Sequence, residues 1–248
     1  MRFSFHLVLC ALLFIKAALA DESAQYKILE TVEHDSQYFT QGLELSKGLM
    51  YESSGLYGQS RVRKYSPDKD TALLESPLPD KYFAEGLTLL DDELYLLTWK
   101  ENTVFVLDPD DLSVKREMTY DGEGWGLANN GRQLIMSDGS ATIYFRDPAT
   151  FEIKHEINVS NQQHSVRRIN ELEYAEGYIW ANIWHSTYIV KINPISGKLA
   201  GSYDLAELVN RHSSLSDQRV LNGIAYDADK KAFWVTGKLW PARYLVKF

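Results

Sequence analysis

Five short blocks built around Gly-Leu recur along the chain at a nearly fixed interval, and this period constrains the fold more than any other feature. They are Thr40-Gln41-Gly42-Leu43, Ala84-Glu85-Gly86-Leu87, Gly124-Trp125-Gly126-Leu127, Ile169-Asn170-Glu171-Leu172 and Leu221-Asn222-Gly223-Ile224. Their glycine positions, with Glu171 standing in once, are 42, 86, 126, 171 and 223, so the spacings are 44, 40, 45 and 52 residues. A period in this range belongs to propeller blades or other arrays, in which each unit buries its faces only against its neighbours.

The content of each unit selects among arrays. After every block come a short turn and a strand-like run: Leu49 to Ser53, Leu94 to Trp99, Gln133 to Ser137, Tyr178 to Trp184 and Ala232 to Thr236. A further aromatic and β-branched run then ends near a proline, as in Val62 to Pro67, Thr103 to Pro109, Thr142 to Pro148 and Tyr188 to Pro194. Proline lacks the ladder donor and stops a strand there. Fourth runs close most units, at Ala72 to Leu78, Val114 to Tyr120, Glu152 to Val159 and Lys198 to Leu205. Four short antiparallel strands per unit is the content of a propeller blade.

The last unit stops at its third run, Arg243 to Phe248, whereas Tyr26 to Val32 alternates like a strand ahead of the first block. Pairing the two would complete the last blade and hide two sheet edges. The expected architecture is all-β, a five-bladed β-propeller of one domain over residues 21–248, its ring closed by the N-terminal strand. Only Asp204 to Arg211 carries helical character.

Residues 1–20 have the form of a secretory signal peptide: Arg2, an apolar run from Phe3 to Ile15, and Ala18-Leu19-Ala20 before Asp21. The expected product is exported, to a Gram-negative periplasm or the medium, without stable membrane insertion once the leader is cut. Cys10 lies inside the leader, so the mature chain carries no cysteine and no disulfide. Removing Arg2 and Lys16 lowers the Lys and Arg count from 26 to 24 against 34 Asp and Glu, a net charge of −10. Such acidity argues against a nucleic-acid partner, whose phosphates demand basic patches.

Innermost propeller strands converge on a central channel, so equivalent block positions meet in space. The residues before the repeated glycine are Gln41, Glu85, Trp125, Asn170 and Asn222. A repeated glycine is ordinarily structural and a tryptophan in a β-repeat is ordinarily core. Packing, however, favours one residue type at equivalent positions, whereas these are one acid, three amides and an aromatic. The asymmetry points to a site with Glu85 as its proton-handling group, and Trp99, Trp184 and Trp240, with Lys238, are placed to line the same mouth.

Competing chemistries lack their patterns. There is no G-x-S-x-G, no H-E-x-x-H and no phosphate-cradling glycine loop before a helix. Asp108-Pro109-Asp110-Asp111 and Asp227-Ala228-Asp229 read as turns that need no metal. Asn158-Val159-Ser160 is a glycosylation sequon only in a eukaryotic host.

Ten segments in order, among them Phe39-Thr40-Gln41-Gly42-Leu43, Glu85-Gly86-Leu87-Thr88, Leu97-Thr98-Trp99, Ser137-Asp138-Gly139, Trp180-Ala181-Asn182-Ile183-Trp184 and Thr236-Gly237-Lys238, closely resemble the plant and bacterial type of glutaminyl-peptide cyclotransferase, the papaya-latex class. The resemblance spans Tyr26 to Phe248. It implies a five-bladed propeller, expected to be monomeric, that converts N-terminal glutamine of peptides and proteins to pyroglutamate and releases ammonia. It further implies Glu85 as acid and base, Gln41, Asn170 and Lys238 as polar contacts, and Phe39, Trp99, Trp125 and Trp184 as an aromatic pocket. No cofactor is expected for catalysis; a structural calcium is associated with the fold, and the sequence does not place its ligands. Two alternatives stand beside this reading: a propeller that binds peptides without turning them over, and a propeller lactonase or esterase dependent on a channel calcium.

Overall fold

The computed structural model describes residues 25–162, 164–212 and 218–248. The expected leader, its cleavage point and Cys10 lie outside the described residues. The described chain forms twenty strands and one short helix, arranged as five four-stranded antiparallel sheets. The first blade holds β2 (Thr40–Ser46), β3 (Leu49–Ser54), β4 (Arg61–Tyr65) and β5 (Ala72–Pro77), and the second β6 (Ala84–Leu90), β7 (Glu93–Thr98), β8 (Thr103–Leu107) and β9 (Val114–Thr119). The third is β10 (Leu127–Asn129), β11 (Leu134–Ser137), β12 (Thr142–Arg146) and β13 (Ile153–Asn158), and the fourth β14 (Ile169–Ala175), β15 (Tyr178–Ile183), β16 (Tyr188–Ile192) and β17 (Leu199–Asp204). In blades one to four, the third strand ends two residues before its proline, at Tyr65, Leu107, Arg146 and Ile192.

The fifth sheet is built from both ends of the described chain. It contains β18 (Leu221–Asp227), β19 (Ala232–Gly237), β20 (Ala242–Lys247) and, on its outer edge, β1 (Lys27–Glu33). β1 pairs antiparallel with β20 from Lys27 opposite Lys247 to Glu33 opposite Ala242. The helix α1 (Ala206–His212) begins two residues later than the sequence suggests, because the Asp204 carboxylate accepts the Ala206 N–H at 3.0 Å and so caps the first turn.

The core is a set of five wedges between neighbouring blades rather than one centre. Leu43, Met50 and Tyr65 of the first blade pack on Ala225, Trp234 and Leu245 of the fifth, and comparable clusters fill the other four gaps. Each fully buried aliphatic side chain contributes roughly 1.5–3 kcal/mol, so stability is distributed around the ring. Polar clasps reinforce the junction of the last blade with the first. Glu52, fully buried, accepts from Thr40, Arg63 and Tyr65 and pairs with His34 at 2.9 Å. Arg243 of β20 reaches the Asp70 carboxylate at 2.9 Å and the Lys69 carbonyl at 3.0 Å.

The repeated glycines explain how the innermost strands meet. A Cβ on Gly42 would lie 2.5 Å from the Leu87 nitrogen, one on Gly86 would lie 2.4 Å from the Leu127 nitrogen, and one on Gly126 would lie 2.1 Å from the Asn170 carbonyl. The first three blocks thus press bare backbone on the next. Glu171, where glycine is missing, does another job: its carboxylate accepts the Leu43 N–H at 3.1 Å and the Ile224 N–H at 2.8 Å, tying the first and fifth blocks together across the ring.

Candidate active site

Four of the five innermost hairpins break register at the block, between Thr40 and Gly42, Ala84 and Leu87, Ile169 and Leu172, and Leu221 and Ile224. A bulge leaves a residue unpaired and re-aims its side chain. Gln41, Glu85 and Asn170, each at or beside such a bulge, line one cavity of about 230 Å³. Lys238, one residue beyond β19, completes a polar floor whose members are only 3–5% exposed. Phe39, Phe83, Trp99, Trp125, Trp184 and Leu56 form the walls.

All eight residues that the family resemblance implies therefore line this cavity. Two expectations differ from the structure. Trp240 does not reach the mouth: it is fully buried, its ring tilted against His212 at 4.4 Å, with its indole N–H donating to the Arg219 carbonyl at 3.1 Å. Asn222 stands behind the floor, donating to the Thr40 carbonyl at 2.9 Å and to the Gln41 side-chain oxygen at 3.4 Å. Phe83 and Leu56 are additional. Phe83 had a signal, since it precedes Glu85 by two residues as Phe39 precedes Gln41. Leu56 had none; its place depends on a left-handed backbone (φ 90°).

The floor is ordered by hydrogen bonds. The Gln41 amide donates to Glu85 Oε1 at 2.9 Å, and Asn222 holds the other end of that amide, so Gln41 presents its N–H to the carboxylate. The Ser53 hydroxyl donates to the Glu85 carbonyl and anchors the backbone beneath. The Lys238 ammonium lies 4.7 Å from the centre of the Phe39 ring.

Burial sets the electrostatics. Desolvation pushes the Glu85 carboxyl well above the usual carboxylate range; Lys238 opposes this, and the charges of Glu123 and Glu101 add to it. Desolvation brings Lys238 down to about 8, against the pull of Glu85. An acid displaced upward and a base displaced downward in one cavity is the arrangement of proton-transfer sites.

The walls form two runs of ring contacts. Phe39 meets Phe83 at 6.3 Å and Phe83 meets Trp99 at 5.5 Å; Trp125 meets Trp184 edge-on at 5.4 Å. Glu123, outside the residues expected from sequence, accepts the indole N–H of both Trp99 and Trp125.

Among the described residues, no group of three or more His, Cys, Asp or Glu side chains converges to hold a metal ion. The acidic turns act as turns: Asp108 accepts the Asp110 N–H at 2.8 Å, Asp111 accepts the Ser113 N–H at 2.8 Å, and Asp227 accepts the Lys230 N–H at 3.0 Å. No helix among the described residues is long and apolar enough to cross a membrane.

Comparison with known proteins gives concordant results. The family profile described as glutamine cyclotransferase matches residues 5–248. A glutaminyl-peptide cyclotransferase of Arabidopsis thaliana is 40% identical over 228 residues, which cover 90% of this chain and 71% of that protein. The crystal structure of Myxococcus xanthus glutaminyl cyclase matches with a TM-score of 0.84 at 34% identity, over 90% of this chain and 95% of that one. The WD40 β-propeller domain of Doa1 matches with a TM-score of 0.51 at 9% identity, over 83% of this chain and 62% of that one, a likeness of fold alone.

Proposed function

The chain belongs to the glutamine cyclotransferase family and is an enzyme of that kind, and from this premise we propose that it closes N-terminal glutamine of peptides into pyroglutamate through one carboxylate, Glu85, acting first as base and then as acid. The observation that carries this reading is that Glu85 is the one carboxylate among the described residues lining the cavity, 5% exposed on a floor otherwise formed by two amides and an ammonium.

The chemistry asks for such a group. The α-amine loses a proton as its nitrogen attacks the side-chain carbonyl carbon, and the departing amide nitrogen gains one as ammonia leaves. A carboxylate within reach of both nitrogens takes the first proton and returns it to the second, ending ionised as it began. General acid and base catalysis of this type contributes about 10²- to 10⁴-fold. The arriving substrate ammonium would itself draw the Glu85 carboxyl toward its ionised, proton-accepting form. Gln41 is engaged by Glu85 and Asn222, which leaves Lys238 and Asn170 as donors to the oxyanion of the tetrahedral intermediate, a contribution of roughly 3–4 kcal/mol per donor. The aromatic walls exclude water and hold the flexible glutamine side chain near its cyclising conformation.

The lactone- or ester-hydrolase alternative needs a channel cation, and among the described residues no group of three or more His, Cys, Asp or Glu side chains converges for one, while the ammonium of Lys238 already stands on the cavity floor. The apolar leader supports export. The deciding experiment is to incubate the mature protein with a Gln-initiated peptide and measure ammonia together with the mass of the product. Release of one ammonia per peptide is expected; a folded protein that releases none would end this reading and favour the peptide-binding alternative.

A further inference from the structure

The two tryptophans that the second and third blades bring to the cavity come from separate segments. Trp99 follows β7, and Trp125 precedes β10. Each is half-buried and carries a single N–H donor, which needs a partner to fix the ring. Both donate to the same atom, Glu123 Oε2, at 2.8 Å from Trp99 and 3.0 Å from Trp125. The other oxygen, Oε1, faces the Lys100 ammonium at 3.6 Å, and that ammonium lies 3.7 Å from the centre of the Trp99 ring. Against its partial burial, the two indole bonds and Lys100 hold the Glu123 carboxyl below the usual range, so it is charged at neutral pH.

The backbone leaves Glu123 little freedom. Gly122 turns the chain at φ 96°, and the Gly124 N–H donates to the Trp99 carbonyl at 2.9 Å. A Cβ on Gly124 would lie 2.1 Å from the Tyr120 hydroxyl and 2.8 Å from the Thr98 carbonyl, so the segment lies flush against the end of β7. One residue thus grips Trp99 by backbone contact through its neighbour and by its own carboxylate.

We propose that Glu123 is a positioning residue for cyclisation: by holding both indoles on one oxygen it joins the Phe83–Trp99 and Trp125–Trp184 pairs into a continuous wall that sets the conformation of the bound glutamine. This rests on the functional reading above and deepens it. Without the shared acceptor, each indole N–H loses its partner and the two halves of the wall lose the one atom that ties them together. Reaction through a near-attack conformer is sensitive to such displacement, about 10²-fold for a misplacement of ~1 Å. Glu123 does not touch the reacting atoms, and its charge reaches Glu85 only through space, alongside those of Lys238 and Glu101.

The test compares Glu123→Ala with Glu123→Gln in the mature chain. In Glu123→Gln the new amide oxygen can still accept both N–H groups but carries no charge, so the pair of variants separates orientation from electrostatics. The readouts are the near-ultraviolet circular dichroism of the tryptophans without substrate, and kcat and KM for ammonia release from a Gln-initiated peptide. For Glu123→Ala, the expected results are an altered aromatic spectrum and kcat/KM lower by ~10- to 10²-fold, as for a loosened reactant. For Glu123→Gln, the parental spectrum and most of the lost kcat/KM should return. An alanine variant with parental spectrum and parental kcat/KM overturns the inference, and so does a glutamine variant as impaired as the alanine one. Should the parent protein release no ammonia, the functional reading fails on its own, and the spectra of the two variants still decide whether Glu123 fixes the indoles.

Discussion

Replacing Lys238 by methionine should stabilise the protein and disable it at once. Lys238 is 5% exposed, and burial brings its ammonium from the ordinary 10.5 down to about 8 even with the Glu85 charge opposing that fall. Below pH 8 the folded protein holds a charge that the unfolded chain, in water, holds more easily. At about 1.4 kcal/mol for each tenfold change in proton affinity, the penalty near neutrality approaches ~3 kcal/mol. Between pH 8 and 10.5 the unfolded chain binds the proton and the fold does not, so the parent gains stability as pH rises through that window. Methionine keeps an apolar stem of similar volume without the charge. The variant should therefore melt several degrees above the parent at pH 7, at roughly 2–4 °C per kcal/mol for a chain of this size, and the two should converge above pH 10.5. Turnover should fall by about 10²- to 10³-fold, the usual loss of an oxyanion donor. Thermal melts by circular dichroism at pH 7, 9 and 10.5, with ammonia release at pH 7, read both effects. A variant that melts below the parent at pH 7, or whose advantage is the same at every pH, would refute a desolvated ammonium at this position; near-parental turnover would refute its role as donor.

Glu85→Gln should lower ammonia release by at least ~10²- to 10⁴-fold. Because the folded-state carboxyl is raised, its ionisation opposes folding as pH climbs, so this variant should melt at or above the parent at pH 8, as read by circular dichroism. Gly55→Ala should impair kcat/KM through the wall: its Cβ would lie 2.2 Å from the Phe83 ring, and the accompanying overpacking should lower stability by about 1–3 kcal/mol in a denaturant titration. Glu52→Ala strips the shared acceptor from His34, Thr40, Arg63 and Tyr65 and should cost roughly 3–5 kcal/mol by the same titration, with the KM of the surviving folded fraction unchanged.

The blades and the polar floor were legible because a propeller converts sequence period into spatial equivalence. Counting from the block glycine placed Gln41, Glu85 and Asn170 in one cavity without any knowledge of which strands pair. What escaped lies where side chains answer to one another rather than to the period. Asn222 sits at the same block position as Glu85 yet turns its amide on Gln41, a choice decided by the Thr40 and Gln41 oxygens that face it. Glu123 stands two residues before Trp125, the offset at which Phe39 and Phe83 stand before Gln41 and Glu85, but nothing in a lone acid announces two indole partners.

The tryptophans show how far counting reaches. Thirteen residues after block positions 42, 86, 126 and 171 come Gly55, Trp99, Gly139 and Trp184, so glycine and tryptophan alternate at one structural place. The alternation has a steric cause. A Cβ at Gly55 would strike the Phe83 ring, and one at Gly139 would lie 2.6 Å from the Trp125 ring, so where the position is glycine an aromatic within or just before the next block or its own fills the space, and where it is tryptophan the indole fills it. Either way one large ring stands at each station of the wall. Trp240 follows position 223 by seventeen residues instead of thirteen, out of step with Trp99 and Trp184, and the left-handed turn at Leu239 (φ 60°) precedes its burial against Gly237 and His212. Its exclusion from the pocket was therefore readable in the offset, whereas composition and proximity to Lys238 pointed the other way. Wall residues in such a ring are identified by their distance from the block, and their chemistry by what the neighbouring blade leaves unfilled.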